Sequence, residues 1–341
     1  MKIGIIGYQG SGKSSLFEWL TGVDADPAQA HTAQSAMTPI LDPRVEQLYA
    51  IYQPKKVTHA SLELVDTPGL SRDHHASAQK LALIRESGCL VVVLAAFGGA
   101  DPFADLTNLE DDFLLADHDI VAGRVEKLRD QVKRPRPNRA ELEAELAALE
   151  PLQAKLESGA PLRNAEMTPE QQRAIRSFQL FSNKPRFLVF NVDDGDPDPQ
   201  RFVQKAPEPE RAAAVCLGLQ RELARMDASE REEFCAEMGV QVAEPGGLVR
   251  AIMAASGQML FFTAGEKEVR TWLIPQGATA VEAAGGIHTD LAKGFIRAEV
   301  MQVDDLVRLG SEREVKAKNL MRQEHREYVI QDGDILLIRH N

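Results

Sequence analysis

The segment Gly7-Tyr8-Gln9-Gly10-Ser11-Gly12-Lys13-Ser14 constrains this chain more than any other. It fits the pattern GxxxxGK[ST], with the short apolar run Lys2–Ile6 before it and helical spacing over Lys13–Leu20 after it. A strand that enters a glycine-rich loop and opens a helix wraps backbone N–H groups around phosphate oxygens. The helix N-terminus adds its positive dipole end. On this reading Gly7, Gln9, Gly10, Ser11, Gly12, Lys13, Ser14 and Ser15 form a nucleotide-binding cradle. Lys13 reaches the β- and γ-phosphates, and the Ser14 hydroxyl binds Mg²⁺.

Three more apolar strands follow, at Leu62–Val65, Leu90–Ala96 and Phe187–Asn191, with helical patterns between them. That alternation predicts a doubly wound, mostly parallel α/β sheet. Asp66-Thr67-Pro68-Gly69 closes the second strand. An Asp there holds Mg²⁺, and Gly69 offers its N–H to a γ-phosphate. Asn191-Val192-Asp193-Asp194 closes the fourth, where GTPases carry NKxD. Asn191, Val192 and Asp194 are therefore candidate base contacts, and Val192 in the lysine position leaves the choice of base open.

Between Leu114 and Leu156 the strand signal stops. Leu114, Val121, Val125, Leu128 and Val132 recur at helical spacing, and so do Leu142, Leu146, Leu149 and Leu156 after a proline-broken turn. An antiparallel helical hairpin inserted at about 112–160 is expected, with Pro151 kinking or breaking its second arm. The tip, Lys133-Arg134-Pro135-Arg136-Pro137-Asn138-Arg139, gathers four cations on a stiffened turn. Asp194, Asp196 and Asp198 have calcium-loop spacing, but Lys205 stands where a bidentate Glu is needed, so a solvated acidic loop is expected. After about Trp272, short strands at Phe295–Val300, Tyr328–Ile330 and Ile335–Ile338 predict a small α+β module. The expected domains are thus 1–271 and 272–341.

The formal charge is −12, so contact with a nucleic acid needs a local basic patch such as that tip. Three cysteines, Cys89, Cys216 and Cys235, with no CxxC pair, exclude a disulfide framework or zinc knuckle and fit a reducing, cytoplasmic setting. No apolar run reaches the roughly 20 residues of a membrane span, so no membrane association is expected.

Taken together, the P-loop, Asp42-Pro43-Arg44, DTPGL, Ile84-Arg85-Glu86, Lys184-Pro185, NVDD, Phe262–Trp272, Gly286–Val300 and Tyr328–Asp334 resemble the Obg-like ATPase (YchF) family. The resemblance implies a P-loop G domain, the helical hairpin and a C-terminal ubiquitin-like β-grasp (TGS) domain. It implies ATP or GTP as substrate, Mg²⁺ as cofactor and hydrolysis that is slow alone. It also implies association with the ribosome or rRNA, through Lys133, Arg134, Arg136 and Arg139 and the TGS domain. Leu70 falls where related GTPases carry a water-positioning Gln. The loop Phe97–Asp101 lacks a histidine that relatives often carry, so His74 or His75 is a candidate to position water. Where the family has NVxE, Asp194 stands here, and Cys216 falls near the last base-contacting loop. Thr32 is the candidate switch threonine on the metal, with Thr38 the alternative. The competing reading is a nucleotide-dependent binding module with little or no hydrolysis of its own; a small-molecule kinase is a third.

Overall fold

In a computed structural model, residues 1–26, 32–72 and 78–341 are described. They divide into two compact units: Met1–Ala36 with Leu64–Ala243, and Met37–Glu63 with Glu244–Asn341.

The first unit is organised around three central strands, Lys2–Ile6, Cys89–Ala96 and Arg186–Val192, whose side chains are buried on both faces, as a sheet covered by helices requires. The strands are β1 (Lys2–Ile6), β2 (Gln34–Pro39), β4 (Ser61–Asp66), β5 (Cys89–Ala96), β6 (Arg186–Val192) and β7 (Ala212–Val215); β3 (Val57–Thr58) belongs elsewhere. Their order is β2-β4-β1-β5-β6-β7, and β1–β5, β5–β6 and β6–β7 pair in parallel. The four strands expected from hydropathy are all present, while β2 and β7, short or only partly buried, carried no signal.

The hairpin forms from helices Pro102–Val132 and Arg139–Glu157. Its seam buries Val121, Val125, Leu128, Leu142, Leu149 and Leu156, with Leu114, Val132 and Leu146 packed against them. Ion pairs Arg124–Glu145 (2.6 Å) and Arg129–Glu150 (2.8 Å) cross between the arms. The second arm runs on through Pro151 to Glu157, so the expected break there does not occur. The first arm begins ten residues earlier than the expected insertion, because Asp101 caps the helix through Phe103 and Ala104 N–H. At its base Asp117, wholly buried, accepts from Arg85 (2.9 Å) and from the N–H groups of Phe181 and Ser182. Lys184 Nζ donates to the carbonyls of Arg85 and Ser87.

The second unit contains β8 (Gln258–Ala264), β9 (Val269–Pro275), β10 (Phe295–Gln302), β11 (Arg322–Glu324) and β12 (Asp334–His340), in the order β11-β10-β12-β8-β9-β3. The first and last strands of the C-terminal segment, β8 and β12, lie side by side and parallel, each flanked by an antiparallel neighbour. The helix Ala280–Ile287 buries Ala280 and Ala283 in the core of the sheet. The expected boundary at 272 falls inside β9; Gln258–Ala264 pair residue by residue with Val269–Pro275, so the hairpin cannot be divided there. Residues 37–63 also join this unit, through β3 beside β9. There Asp42 caps the helix Pro43–Tyr52, and Arg44 bridges Asp42 (2.7 Å) and Asp332 (2.9 Å). Tyr328–Ile330, expected as a strand, makes only a single bridge from Val329 to Thr279. Its Tyr328 hydroxyl instead donates to buried Asp334 (2.9 Å), which also accepts from Gln331 N–H (2.8 Å).

Candidate nucleotide site

At the C-terminal end of β1 the chain turns through Gly7, Gly10 and Gly12, all at positive φ. Space and conformation both demand glycine here. A Cβ on Gly7 would meet the Val93 carbonyl at 2.4 Å, and one on Gly12 the Asn191 amide nitrogen at 2.4 Å. The helix Lys13–Thr21 follows, so its first N–H groups face the loop.

A cleft of about 380 Å³ opens beside this turn, lined by Gln9, Gly10, Lys13 and Ser14 from the loop, and by Asp66, Thr67 and Gly69 after β4. Glu18, Ala25, Asp26, Thr32, Gln34 and Lys80 complete it. Ser14 Oγ donates to Asp66 Oδ2 at 2.7 Å. Asp66 Oδ1 is buried with no hydrogen-bond partner, and burial raises the carboxyl's pKa above its usual range. A hydroxyl beside a desolvated carboxylate oxygen lacking a partner fits a hard divalent cation such as Mg²⁺, which prefers oxygen ligands. Lys13 Nζ donates to the Tyr8 carbonyl (2.9 Å). Burial lowers its pKa to about 8, an effect Asp66 opposes and Lys80 reinforces. Thr32 is exposed on the cleft, whereas Thr38 is buried in β2.

Leu70 is fixed against the phosphate loop by two backbone hydrogen bonds, Leu70 N–H to Gly7 O (3.1 Å) and Gln9 N–H to Leu70 O (3.0 Å). Its side chain, 2 % exposed, packs with Tyr8 in the core and stays out of the cleft. The next positions lead to Arg72, which pairs with Asp105 on the hairpin helix (2.7 Å) and lies over the Tyr8 ring. His74 and His75 lie outside the described residues.

At the other end of the loop, Asn191 is committed to the backbone. Its Nδ2 donates to Ser11 O (3.0 Å) and its Oδ1 accepts from Leu217 N–H (3.1 Å). Val192 points the opposite way along β6 and is 4 % exposed in the core, so it does not contact the base as expected. The physical reason is the two-residue alternation of a strand. Asp194 is exposed on the turn beyond, and Cys216, half-buried, caps the helix Leu217–Arg225; burial, then Asp194 and Asp193, raise its thiol's pKa. Within the acidic loop Asp196 forms a bidentate pair with Arg201 (2.7 Å to Nη2) and accepts from Asp198 N–H (3.0 Å).

Sequence reasoning missed one group that lines the cleft and one that neighbours its helix. Lys80 reaches the cleft from the helix Ala78–Arg85, donating to Gly69 O at 2.7 Å. Arg221 approaches Ser15 and Glu18 (3.4 Å to Glu18). Neither sits in a motif, so only long-range contacts could find them.

A sheet in which β1, β5, β6 and β7 run parallel, with a glycine-rich turn after β1 that opens a helix and an acidic residue ending β4, defines a P-loop nucleotide-binding protein of the GTPase class. Residues 2–116 match the 50S ribosome-binding GTPase family, and residues 259–341 match the YchF GTPase C-terminal family, described as a protein of unknown function. The chain is 32 % identical to the ribosome-binding ATPase YchF of Haemophilus influenzae, covering 100 % of this chain and 99 % of that protein. It is 33 % identical to Obg-like ATPase 1 of Oryza sativa subsp. japonica, covering 100 % and 92 %. The solved YchF GTPase of Schizosaccharomyces pombe aligns with a TM-score of 0.84 at 26 % identity, covering 99 % and 97 %. The chain belongs to the YchF/Obg-like ATPase family.

Proposed function

We propose that this chain binds ATP or GTP with Mg²⁺, hydrolyses it slowly when alone, and serves as a ribosome-associated regulatory switch in the cytoplasm. The observation that carries the reading is the Ser14–Asp66 pair, with its buried carboxylate oxygen lacking a partner, facing Lys13 across the cleft. Ser14 and Asp66 would hold Mg²⁺ there, and the ion would supply positive charge against the phosphates. Lys13 exchanges the Tyr8 carbonyl for phosphate oxygens, and Gly69 N–H faces the γ-phosphate. Thr32 is the candidate to join Ser14 and Asp66 when triphosphate is present. Gly69 and Leu70 are joined by backbone to the stretch leading to Arg72, which is tied to the hairpin helix through Asp105. That path gives an ordered switch loop a mechanical readout.

The relatives' names supply the ribosome. In this chain the hairpin tip is the basic element that suits rRNA phosphates. Lys133 is paired with Asp130 and Arg139 with Glu143, whereas Arg134 and Arg136 form no ion pair among the described residues. No described helix is long and apolar enough to cross a membrane.

A second reading, a nucleotide-dependent binding module that scarcely hydrolyses, is favoured by Leu70, whose buried side chain leaves that position without a hydrogen-bonding group. Titrating labelled ATP and GTP with and without Mg²⁺, followed by single-turnover hydrolysis with and without ribosomes, separates the two. Phosphate release that ribosomes accelerate is expected. Tight Mg²⁺-dependent binding with no phosphate release in either condition leaves the second reading standing. In the same assay a His74→Ala/His75→Ala variant with unchanged turnover removes those residues from the chemistry.

A further inference from the structure

We infer that Lys80 is a second cation of the phosphate cleft and contacts the γ-phosphoryl group of the bound nucleoside triphosphate. The inference rests on the proposed function and adds a catalytic residue to it. Two observations carry it. Lys80 Nζ lies 2.7 Å from the carbonyl oxygen of Gly69, the residue whose N–H is proposed to face the γ-phosphate, and lines the cleft with Lys13, Ser14 and Asp66. Lys13 also lies beside that glycine; a Cβ on Gly69 would stand 3.2 Å from Lys13 Nζ.

Two ammonium groups flanking one glycine repel each other. Lys80 accordingly contributes to holding Lys13 below the usual lysine range. A polyphosphate between them removes the repulsion, so the arrangement suits an anionic ligand better than a vacant cleft. It also places charge where the chemistry requires it. In hydrolysis the water oxygen bonds to the γ-phosphorus while the bond from phosphorus to the β–γ bridging oxygen breaks. The electron pair leaves with the nucleoside diphosphate, and the water's protons pass to inorganic phosphate and solvent. Negative charge spreads over the γ-phosphoryl oxygens, and catalysis consists largely of positioning and neutralising it. Leu70 is turned into the core, so the segment after Asp66 offers no side-chain donor from that position.

A neutral donor separates this role from a merely structural one. Lys80→Gln can still hold the Gly69 carbonyl but carries no charge, whereas Lys80→Arg keeps the charge. In the full-length protein, affinities for the nucleoside diphosphate and for a non-hydrolysable triphosphate analogue are measured beside single-turnover hydrolysis. Thermal melting checks that each variant folds. Lys80→Gln is expected to slow phosphate release roughly 10–100-fold and to erase much of the preference for triphosphate, with diphosphate affinity unchanged. Lys80→Arg retains most of both. Normal triphosphate preference and turnover in a folded Lys80→Gln overturns the proposal, and so does an equal loss of diphosphate and triphosphate affinity. A wild-type protein that binds triphosphate without hydrolysing it breaks the hydrolytic reading alone, because the triphosphate preference still reports on Lys80.

Discussion

At the phosphate end of the site, three glycines at positive φ, a buried lysine and a serine–aspartate pair leave little freedom. At the base end, the strongest sequence signal divides into unlike parts. Asn191 braces the loop, Val192 fills the core and Asp194 stands on an exposed turn. On the proposed reading, phosphate would be recognised by backbone and by groups held in a close-packed frame, which makes that end intolerant of change. The base would be read at the rim, where the exposed Asp194 carboxylate can move without disturbing the fold.

The largest effect expected from that contrast is at Lys13. Lys13→Ala should weaken triphosphate binding by about 100-fold or more, for ATP and GTP alike. A change confined to one nucleotide would mean that the cleft does not hold the phosphates. Asn191→Ala comes next. It removes two buried hydrogen bonds to the backbone, at Ser11 and Leu217, and should cost about 2–3 kcal/mol of stability by denaturant titration. Both nucleotides should weaken together. Loss of GTP alone would return Asn191 to base reading and erase the contrast.

A smaller effect comes from pH. Phosphate favours charged Lys13, whose pKa in the nucleotide-free protein is lowered by burial to about 8. Affinity is therefore full below pH 8 and should fall about tenfold per unit as pH rises beyond it, until the raised pKa of the bound state is reached. Titrations at pH 7 and 9 check this, and a flat profile would mean that Lys13 does not pay a proton-uptake cost. The nucleotide-free fold responds with the opposite sign. An unfolded chain holds this proton up to the ordinary lysine value, so the Lys13 contribution to stability grows between pH 8 and 10.5. The smallest effect belongs to Asp194→Glu, which should change the ATP-to-GTP affinity ratio by roughly tenfold or less while leaving the diphosphate-to-triphosphate ratio untouched. Competition titrations measure both ratios, and a change in the second would join the two ends that the structure keeps apart.

Much of the first unit was legible. Burial on both faces left continuous apolar runs at β1, β5 and β6, the alternating Leu62 and Leu64, with Val65, marked β4, and the hairpin seam followed its leucine spacing. β7, four alanine-rich residues with no alternation, was not legible. Nor was the hairpin β8–β9, whose first strand lies before the texture change that suggested a boundary at 272.

By itself the sequence determined the glycine-rich loop, the placing of Ser14 and Asp66, proposed to hold Mg²⁺, and the helical hairpin, because each depends on spacing within a few residues or on one repeating apolar face. Only the tertiary structure decided that residues 37–63 join the second unit, that Leu70 and Val192 are core, and that Lys80 faces the cleft. Those outcomes depend on which face of a strand or turn meets a distant segment. A one-residue step reverses that face without changing the composition.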